Sequence, residues 1–194
     1  MPILQVHYVE HTLLPEQKRA LAQKLTEVLL DMEGGARTQA GRAFAAVMFH
    51  PLRVDDWYVG GFTDGTLVVR PGRFLVHVTI PEGYMNAAHK SEVHTAVNAA
   101  ILEAAGTSGD ENVGASIQVV IDEVPEGNWG AKGSTIGMAS IADAVGLPKD
   151  GERYAWVKAY FEAKARFRAS AGFPADTDGL LDGRASVACA KSSR

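Results

Sequence analysis

The sequence is poor in cysteine, with a single thiol, Cys189, among its 194 residues. One thiol excludes an intrachain disulfide, and without a Cys-x-x-Cys pair there is no thiolate site for a structural metal. The 6 histidines show no metal-ligand spacing on one predicted face. We therefore expect no metal and no cofactor, and a lone cysteine favours a reducing compartment.

Long apolar runs and an excess of positive charge are also lacking. No uninterrupted apolar stretch is long enough to span a bilayer, and the first residues do not combine a basic start with an apolar core as a secretion signal does. The 19 Lys and Arg against 23 Asp and Glu give a net charge of −4. Binding to a phosphate backbone requires clustered excess positive charge. We expect a soluble cytoplasmic protein without membrane or nucleic-acid partners.

The hydrophobic pattern predicts a β-α-β unit at the start of the chain. Residues 2–9 are β-rich and partly alternating, and residues 43–49 predict a second strand. Between them, Pro15 suits a first helical turn. The positions that share one helical face are apolar: Leu21, Leu25, Val28, Leu29 and Met32.

The same pattern recurs 72 residues later. The five apolar helical positions correspond to Val93, Val97, Ala100, Ile101 and Ala104. Trp57 corresponds to Trp129 and Gly61 to Gly133 at the same offset. So many matches at one offset indicate an internal duplication, with pseudo-repeats 2–61 and 74–133.

The duplication predicts a fold of the α/β (α+β) class, built from both helices and strands. Tandem β-α-β units would form one four-stranded sheet with two helices on one face. The other sheet face would stay apolar and uncovered, so we expect other subunits to bury it. Together the two units form a domain over residues 1–149. An amphipathic C-terminal helix is expected over 150–169, and residues 170–194 have the composition of a disordered tail.

The start PILQVHYVEHTLLPEQK and the segment IQVVIDEVPEGNWGAKG resemble the tautomerase superfamily. The nearest pattern is that of 4-oxalocrotonate tautomerase and its fused, double-length relatives such as cis-3-chloroacrylic acid dehalogenase. The resemblance covers roughly residues 2–137. It implies a tautomerase/MIF-like fold, a homotrimer of double units, and an N-terminal proline at the mouth of an apolar pocket. Only the first unit carries the proline, because Phe74 occupies the matching position of the second.

The resemblance implies that Pro2, once Met1 is removed, is the catalytic general acid/base. An α-amino group has an ordinary pKa near ~7.7–8.0, and burial favours its neutral form, which can move a proton between carbon and oxygen. Around it we expect Trp129 as pocket wall or packing residue, and Tyr84 as a hydrogen-bond donor. Lys132 is expected either as a carboxylate ligand or as a solvated turn residue. Arg73 is a further candidate anion ligand or a surface charge.

The sequence departs from the family pattern where the relatives bind carboxylates. Thr12, Ala46 and Gln118 stand where arginines are expected, and Ala131 is close to the place of the dehalogenase glutamate. The function predicted is a cofactor-independent tautomerase, a keto–enol isomerase of a small 2-hydroxydienoate or enol-pyruvate. The alternatives are a hydratase or dehalogenase of an unsaturated acid, and a binding protein that kept the fold without catalysis.

Overall fold

A computed structural model describes residues 2–32, 37–107 and 112–174 of the chain. The first half contains β1 (Ile3–Val9), α1 (Pro15–Met32), α2 (Gln39–Phe44) and β2 (Ala46–Leu52). The second half contains β3 (Phe74–Pro81), α3 (Ala87–Ala104) and β4 (Ile117–Val124). A small hairpin of β5 (Gly130–Ala131) and β6 (Ser134–Thr135) leads to α4 (Met138–Val145) and α5 (Glu152–Ser170).

The internal duplication is visible in the element bounds. Helices α1 and α3 both contain 18 residues, and α3 begins and ends 72 positions after α1. The four-stranded sheet has the order β2-β1-β3-β4, with parallel pairing inside each unit and antiparallel pairing between β1 and β3. In that central pair, Gln5 lies opposite His77, its own counterpart in the second repeat. A pseudo-twofold axis therefore passes between these two residues.

The core lies between the sheet and the two long helices. Alternate residues of β1 and β3 are buried, as the period of two in a strand requires: Leu4, Val6, Tyr8, Phe74, Val76, Val78 and Ile80. Against them the helices place Leu21, Leu25, Leu29, Val93, Val97 and Ile101, all with no exposed surface. Each such buried side chain contributes about 1.5–3 kcal/mol. The predicted four-stranded sheet with two helices on one face is confirmed.

The second strand begins three residues later than the pattern predicts. Residues 39–44 form α2, whose N-cap Thr38 accepts a hydrogen bond from the Gly41 amide at 2.9 Å. Strand β2 then runs to Leu52 and includes Pro51. A proline is tolerated there because β2 is an edge strand, where one set of amides has no partner strand.

The outer face of the sheet is mixed rather than apolar. Among apolar side chains such as Met48 and Val120, it carries His7, His50, His77 and Asp122. The expectation of an apolar face therefore does not hold, because the register of neighbouring strands places these four ionisable side chains side by side on it.

Helices α4 and α5 form a second core of their own. Its buried members are Tyr84, Met138, Ile141, Ala142, Val145, Leu147, Val157 and Phe161. The expected C-terminal helix is present as α5, whereas α4 was not predicted. Residues 175–194 of the expected tail lie outside the described residues. None of the described helices combines the length and apolarity needed to cross a membrane.

Candidate active site

The residue at the centre of the candidate site, Pro2, directly precedes β1 and is buried. The Ala46 amide donates a hydrogen bond to the Pro2 carbonyl oxygen at 3.1 Å, which ties the start of β1 to β2. Because β3 is antiparallel to β1, with Ile3 opposite Thr79, the start of β1 lies beside the ends of β3 and β4. We call this the Pro2 end of the sheet. It gathers Pro2, the loop that follows β3 and the turn that follows β4.

Tyr84 lies in the loop after β3, at the Pro2 end. Only 2% of its surface is exposed, and it belongs to the second core together with Met138 and Phe161. The structure therefore brings Tyr84 to the same end of the sheet as Pro2 and uses much of its ring for packing.

Trp129 and Lys132 lie in the turn after β4. The Trp129 side chain is half-buried, and its Nε1 is buried without a hydrogen-bond partner among the described residues. Lys132 and Gly133 form the two-residue loop between β5 and β6, with φ of 54° and 73°. Positive φ at both positions is the geometry of a type I′ hairpin turn. Lys132 is exposed and lies at the tip of this hairpin.

The first repeat contains the same hairpin with glycine in place of the lysine. Gly60 and Gly61 have φ of 60° and 88°, and Val59 and Phe62 pair across them. A lysine in the left-handed region is uncommon, since its Cβ crowds the backbone there. Lys132 therefore carries a charged side chain in a conformation that glycine adopts more easily.

Arg73 lies at the opposite end of the sheet, where β3 begins, and is not brought to Pro2 within one chain. It is 5% exposed. Its guanidinium donates to the Trp57 carbonyl oxygen at 2.9 Å and to the carbonyls of Thr63 and Asp64. These contacts hold the long loop between β2 and β3.

A group of ionisable side chains at the Pro2 end was missed by sequence reasoning. Glu126, in the turn after β4, is 5% exposed and accepts a hydrogen bond from the Met138 amide at 2.8 Å. Glu82, directly after β3, accepts hydrogen bonds from the Tyr160 hydroxyl at 2.8 Å and from the Lys164 ammonium. No motif marks these residues, because the two donors come from α5, far away in the sequence.

The environment changes the protonation of this group. Burial raises the pKa of Glu126, and the nearby Glu82 charge adds to the effect. Although burial opposes its charge, hydrogen bonds from Lys164 and Tyr160 hold the pKa of Glu82 below its ordinary value. Burial, together with the bond to Glu82, raises the pKa of Tyr160 to about 12. The Pro2 end therefore combines a carboxylate with a lowered pKa and one with a raised pKa.

Helices α4 and α5 contact elements that all lie at the Pro2 end. The Thr38 hydroxyl, before α2, donates to the Val145 carbonyl at 3.4 Å. The Arg153 guanidinium donates to the carbonyl of Met32, the last residue of α1, and contacts His89 in the first turn of α3. The helical pair is thus a cap on the end of the sheet where Pro2 is buried.

No group of three or more ligands suited to a metal occurs in residues 2–32, 37–107 and 112–174. A pocket of about 390 Å³ lies at the opposite end of the sheet, between the end of β1 and the start of α1. Tyr8 and Leu13 contribute to its wall, and none of the predicted site residues does.

Similarity to known proteins is found in structure rather than in sequence. No family model and no curated protein matches the chain. A fused 4-OT described as a symmetric trimer superimposes with a TM-score of 0.54 at 21% identity, over 73% of this chain and 98% of that one. A member of the cis-3-chloroacrylic acid dehalogenase family gives 0.57 at 17% identity, over 76% of this chain and 93% of that one.

A macrophage migration inhibitory factor from Toxoplasma gondii gives a TM-score of 0.52 at 13% identity, over 69% of this chain and 99% of that one. These likenesses show that the chain has the fold of the tautomerase superfamily in its double-length form. The predicted resemblance is confirmed at the level of the fold.

Proposed function

We propose that this chain, which has the double-length tautomerase fold, is a cofactor-independent keto–enol tautomerase with Pro2 as its general acid/base. The observation that carries the proposal is the position of Pro2. It is buried directly before β1, one of the two central strands, at the same end of the sheet as Tyr84 and the Trp129 turn. The substrate class is a small 2-hydroxydienoate or enol-pyruvate acid.

The chemistry requires a secondary amine that is neutral at working pH. Removal of Met1 exposes the Pro2 nitrogen, and burial favours its uncharged form. The amine takes the proton of the substrate enol hydroxyl and a proton is returned to the carbon, so the substrate is isomerised without a net change in atoms. The pyrrolidine ring fixes the direction of the nitrogen lone pair.

Two groups of the hairpin turn are suited to hold the acid substrate. The Lys132 ammonium, at the exposed tip, would attract the substrate carboxylate. The Trp129 Nε1, buried without a partner among the described residues, would donate a hydrogen bond to an oxygen. Tyr84 contributes to the wall at this end. Arg73 would reach a substrate only at a site completed by a neighbouring subunit.

The assembly that we propose is a homotrimer. Fused 4-OT structures of this fold are described as trimers, one symmetric and one asymmetric. On the outer sheet face of this chain, Met48 is 41% exposed and Val120 is 40% exposed. Burial of such side chains between copies is favourable at about 25 cal/mol per Å² of apolar surface.

The proposal is tested by comparing wild type with Pro2→Ala on phenylenolpyruvate ketonisation, after the N-terminal mass of each has been determined. We expect Met1 to be absent and Pro2→Ala to lose roughly 10²-fold or more in kcat/KM, the usual contribution of a positioned acid/base. Equal rates in the two proteins would contradict the proposal. A retained Met1 would favour the alternative of a binding protein without catalysis.

A covalent probe gives an independent test. One structural neighbour, Pt0534, is described as inactivated by 2-oxo-3-pentynoate. This reagent is an alkynyl ketone, so an amine adds to its triple bond and the amine proton moves to the neighbouring carbon. We expect a mass increase of one whole reagent on the N-terminal peptide of wild type, in step with loss of activity.

Hydration of an unsaturated acid is the second candidate, and Glu126 is the observation that favours it. Hydration needs a positioned general base for water, and a carboxylate is one group that can serve. Glu126 supplies a buried carboxyl group on the same turn as Trp129. Loss of hydratase activity in Glu126→Gln with retained ketonisation would distinguish the two reactions.

A further inference from the structure

The outer sheet face contains a cluster of ionisable side chains near its pseudo-twofold axis. The rings of His7 and His50 are stacked, with centroids 4.7 Å apart and an interplanar angle of 18°. His77 meets His7 edge-on at 6.0 Å, and its Nδ1 lies 2.8 Å from an oxygen of Asp122. Each of the four strands contributes one member of this histidine cluster.

The geometry of the histidine cluster does not suit a metal ion. Parallel stacking of His7 and His50 directs their ring nitrogens alongside each other rather than towards one point. Within the described residues, no group of three potential ligands converges. The cluster is therefore better suited to respond to protons than to bind a cation.

The two repeats differ in charge at this position. Asp122 is the repeat counterpart of His50, 72 residues later. The second half thus pairs His77 with a carboxylate, whereas the first half stacks two imidazoles with no carboxylate from its own strands. One aspartate can balance one imidazolium, so a second and a third positive charge in the cluster have no counter-charge on this face.

We propose that the histidine cluster makes the assembly of copies of this chain through the outer sheet face sensitive to protons. The assembly itself rests on the proposed trimer. The occupant is a second copy because fused 4-OT structures of this fold are described as trimers and because Met48 and Val120 leave apolar surface exposed on this face. Burial of an imidazole costs less free energy when the ring is uncharged.

The sign of the effect follows from His7. Burial, together with the neighbouring His50 and His77, lowers the pKa of His7 below its ordinary value of about 6.5. A copy docked on this face removes water from His7 and disfavours its charged form further. The separated chains then bind more protons than the assembly, so assembly is complete above the ordinary histidine range and weakens as the pH falls through it.

Each of the other three strands of the face contributes one ionisable side chain near His7. They are His50 on β2, His77 on β3 and Asp122 on β4, and the remaining outward positions of the four strands are uncharged. A positive charge on His7 is disfavoured by the stacked His50 ring, whose centroid lies 4.7 Å away. The resulting repulsion opposes burial of the face.

Sedimentation equilibrium of the full chain, from about pH 8 to about pH 5.5, spans the histidine range and tests the proposal. We expect a trimer at the upper end and dissociation at the lower. The concentration at half-assembly should rise at least about tenfold per pH unit if each subunit takes up one proton on release. Helical circular dichroism should persist through the dissociation, and loss of that signal at the same pH would overturn the proposal.

The variants His7→Gln and His50→Gln remove the charge and keep a polar side chain. Either should reduce the pH dependence of assembly, whereas the matched control His94→Gln, on the exposed side of α3, should not. A trimer at every pH, or the same pH dependence in all variants, would overturn this inference alone. A monomer at every pH would overturn the proposed trimer as well, and catalysis is assessed separately by Pro2→Ala.

Discussion

Lys132 has a strained backbone and a side chain that we propose attracts the substrate carboxylate. It adopts φ of 54° at the hairpin position where the first repeat has Gly60. A left-handed conformation costs an L-residue roughly 1–2 kcal/mol, and glycine avoids that cost but is more flexible when unfolded. The strained backbone at Lys132 therefore motivates the hypothesis that its side chain has a function.

This role predicts separate effects of Lys132 substitutions on stability and on catalysis. Lys132→Gly should leave the free energy of unfolding within about 1 kcal/mol of wild type, because relief of strain offsets the added flexibility. If the ammonium attracts the substrate carboxylate, KM should rise about tenfold while Lys132→Arg keeps it near wild type. Urea unfolding and steady-state kinetics measure the two effects. An unchanged KM in Lys132→Gly would leave this lysine as a solvated turn residue.

Glu126 predicts a pH-dependent effect on stability. Its raised pKa means that the folded chain holds a proton which the unfolded chain releases. Its contribution to stability is therefore complete below the ordinary glutamate pKa and is lost as the pH rises through the raised value. Glu126→Gln keeps an acceptor for the Met138 amide without the charge. It should be as stable as wild type near pH 4 and more stable near pH 8, as urea unfolding at the two pH values will show; greater stability of wild type near pH 8 would contradict this.

At the scale of elements, the docking of α5 depends on a glycine. Gly83 has φ of 77°, and a Cβ there would lie 2.5 Å from a ring carbon of Tyr160. Displacement of the Tyr160 side chain away from that Cβ would disturb its hydrogen bond to Glu82. The loop after β3 and the middle of α5 therefore fit only while residue 83 has no side chain.

The substitution Gly83→Ala should accordingly cost more than backbone strain alone. The matched control is Gly106→Ala, since Gly106 has φ of 63° and no atom of the described residues, its chain neighbours aside, lies within 4 Å of where a Cβ would be. The control should lose roughly 1–2 kcal/mol from its left-handed backbone. Gly83→Ala should lose more, and amide exchange should increase in α5. Equal losses in the two variants would show that Tyr160 gives way without cost.

The elements differ in how far the sequence predicts them, and the reason is physical. Helices α1 and α3 repeat their apolar positions at one offset, so each supports the prediction of the other. Helix α4 has no counterpart in the first half and was missed. The burial of Glu126 was missed for the same reason, because it depends on α4. Periodicity also cannot show that β3 pairs antiparallel with β1, and that pairing places Arg73 at the end opposite Pro2.

At the scale of the whole molecule, a double-length sheet is combined with a helical cap. The match with the fused 4-OT structure covers 98% of that chain but 73% of this one. This chain is therefore the longer of the two, and α4 and α5 form its C-terminal part. The cap packs on Tyr84, and its Lys164 ammonium forms an ion pair with Glu82. The outer sheet face carries the histidine cluster. The cap and the histidine cluster lie on different surfaces, so removal of the cap should leave assembly through the sheet face intact.

A chain that ends after Ile136 tests that separation. It exposes Tyr84, leaves Glu82 without Lys164 and opens the Pro2 end to water, so kcat/KM should fall at least about tenfold and the melting temperature by several degrees. It should still form the trimer near pH 8, because the sheet face is unchanged. The double variant Tyr160→Phe with Lys164→Ala releases the cap without removing it and should show the same direction of change. Unchanged activity in both would show that the cap stabilises the fold without belonging to the site, whereas loss of the trimer would place a subunit contact on α4 or α5.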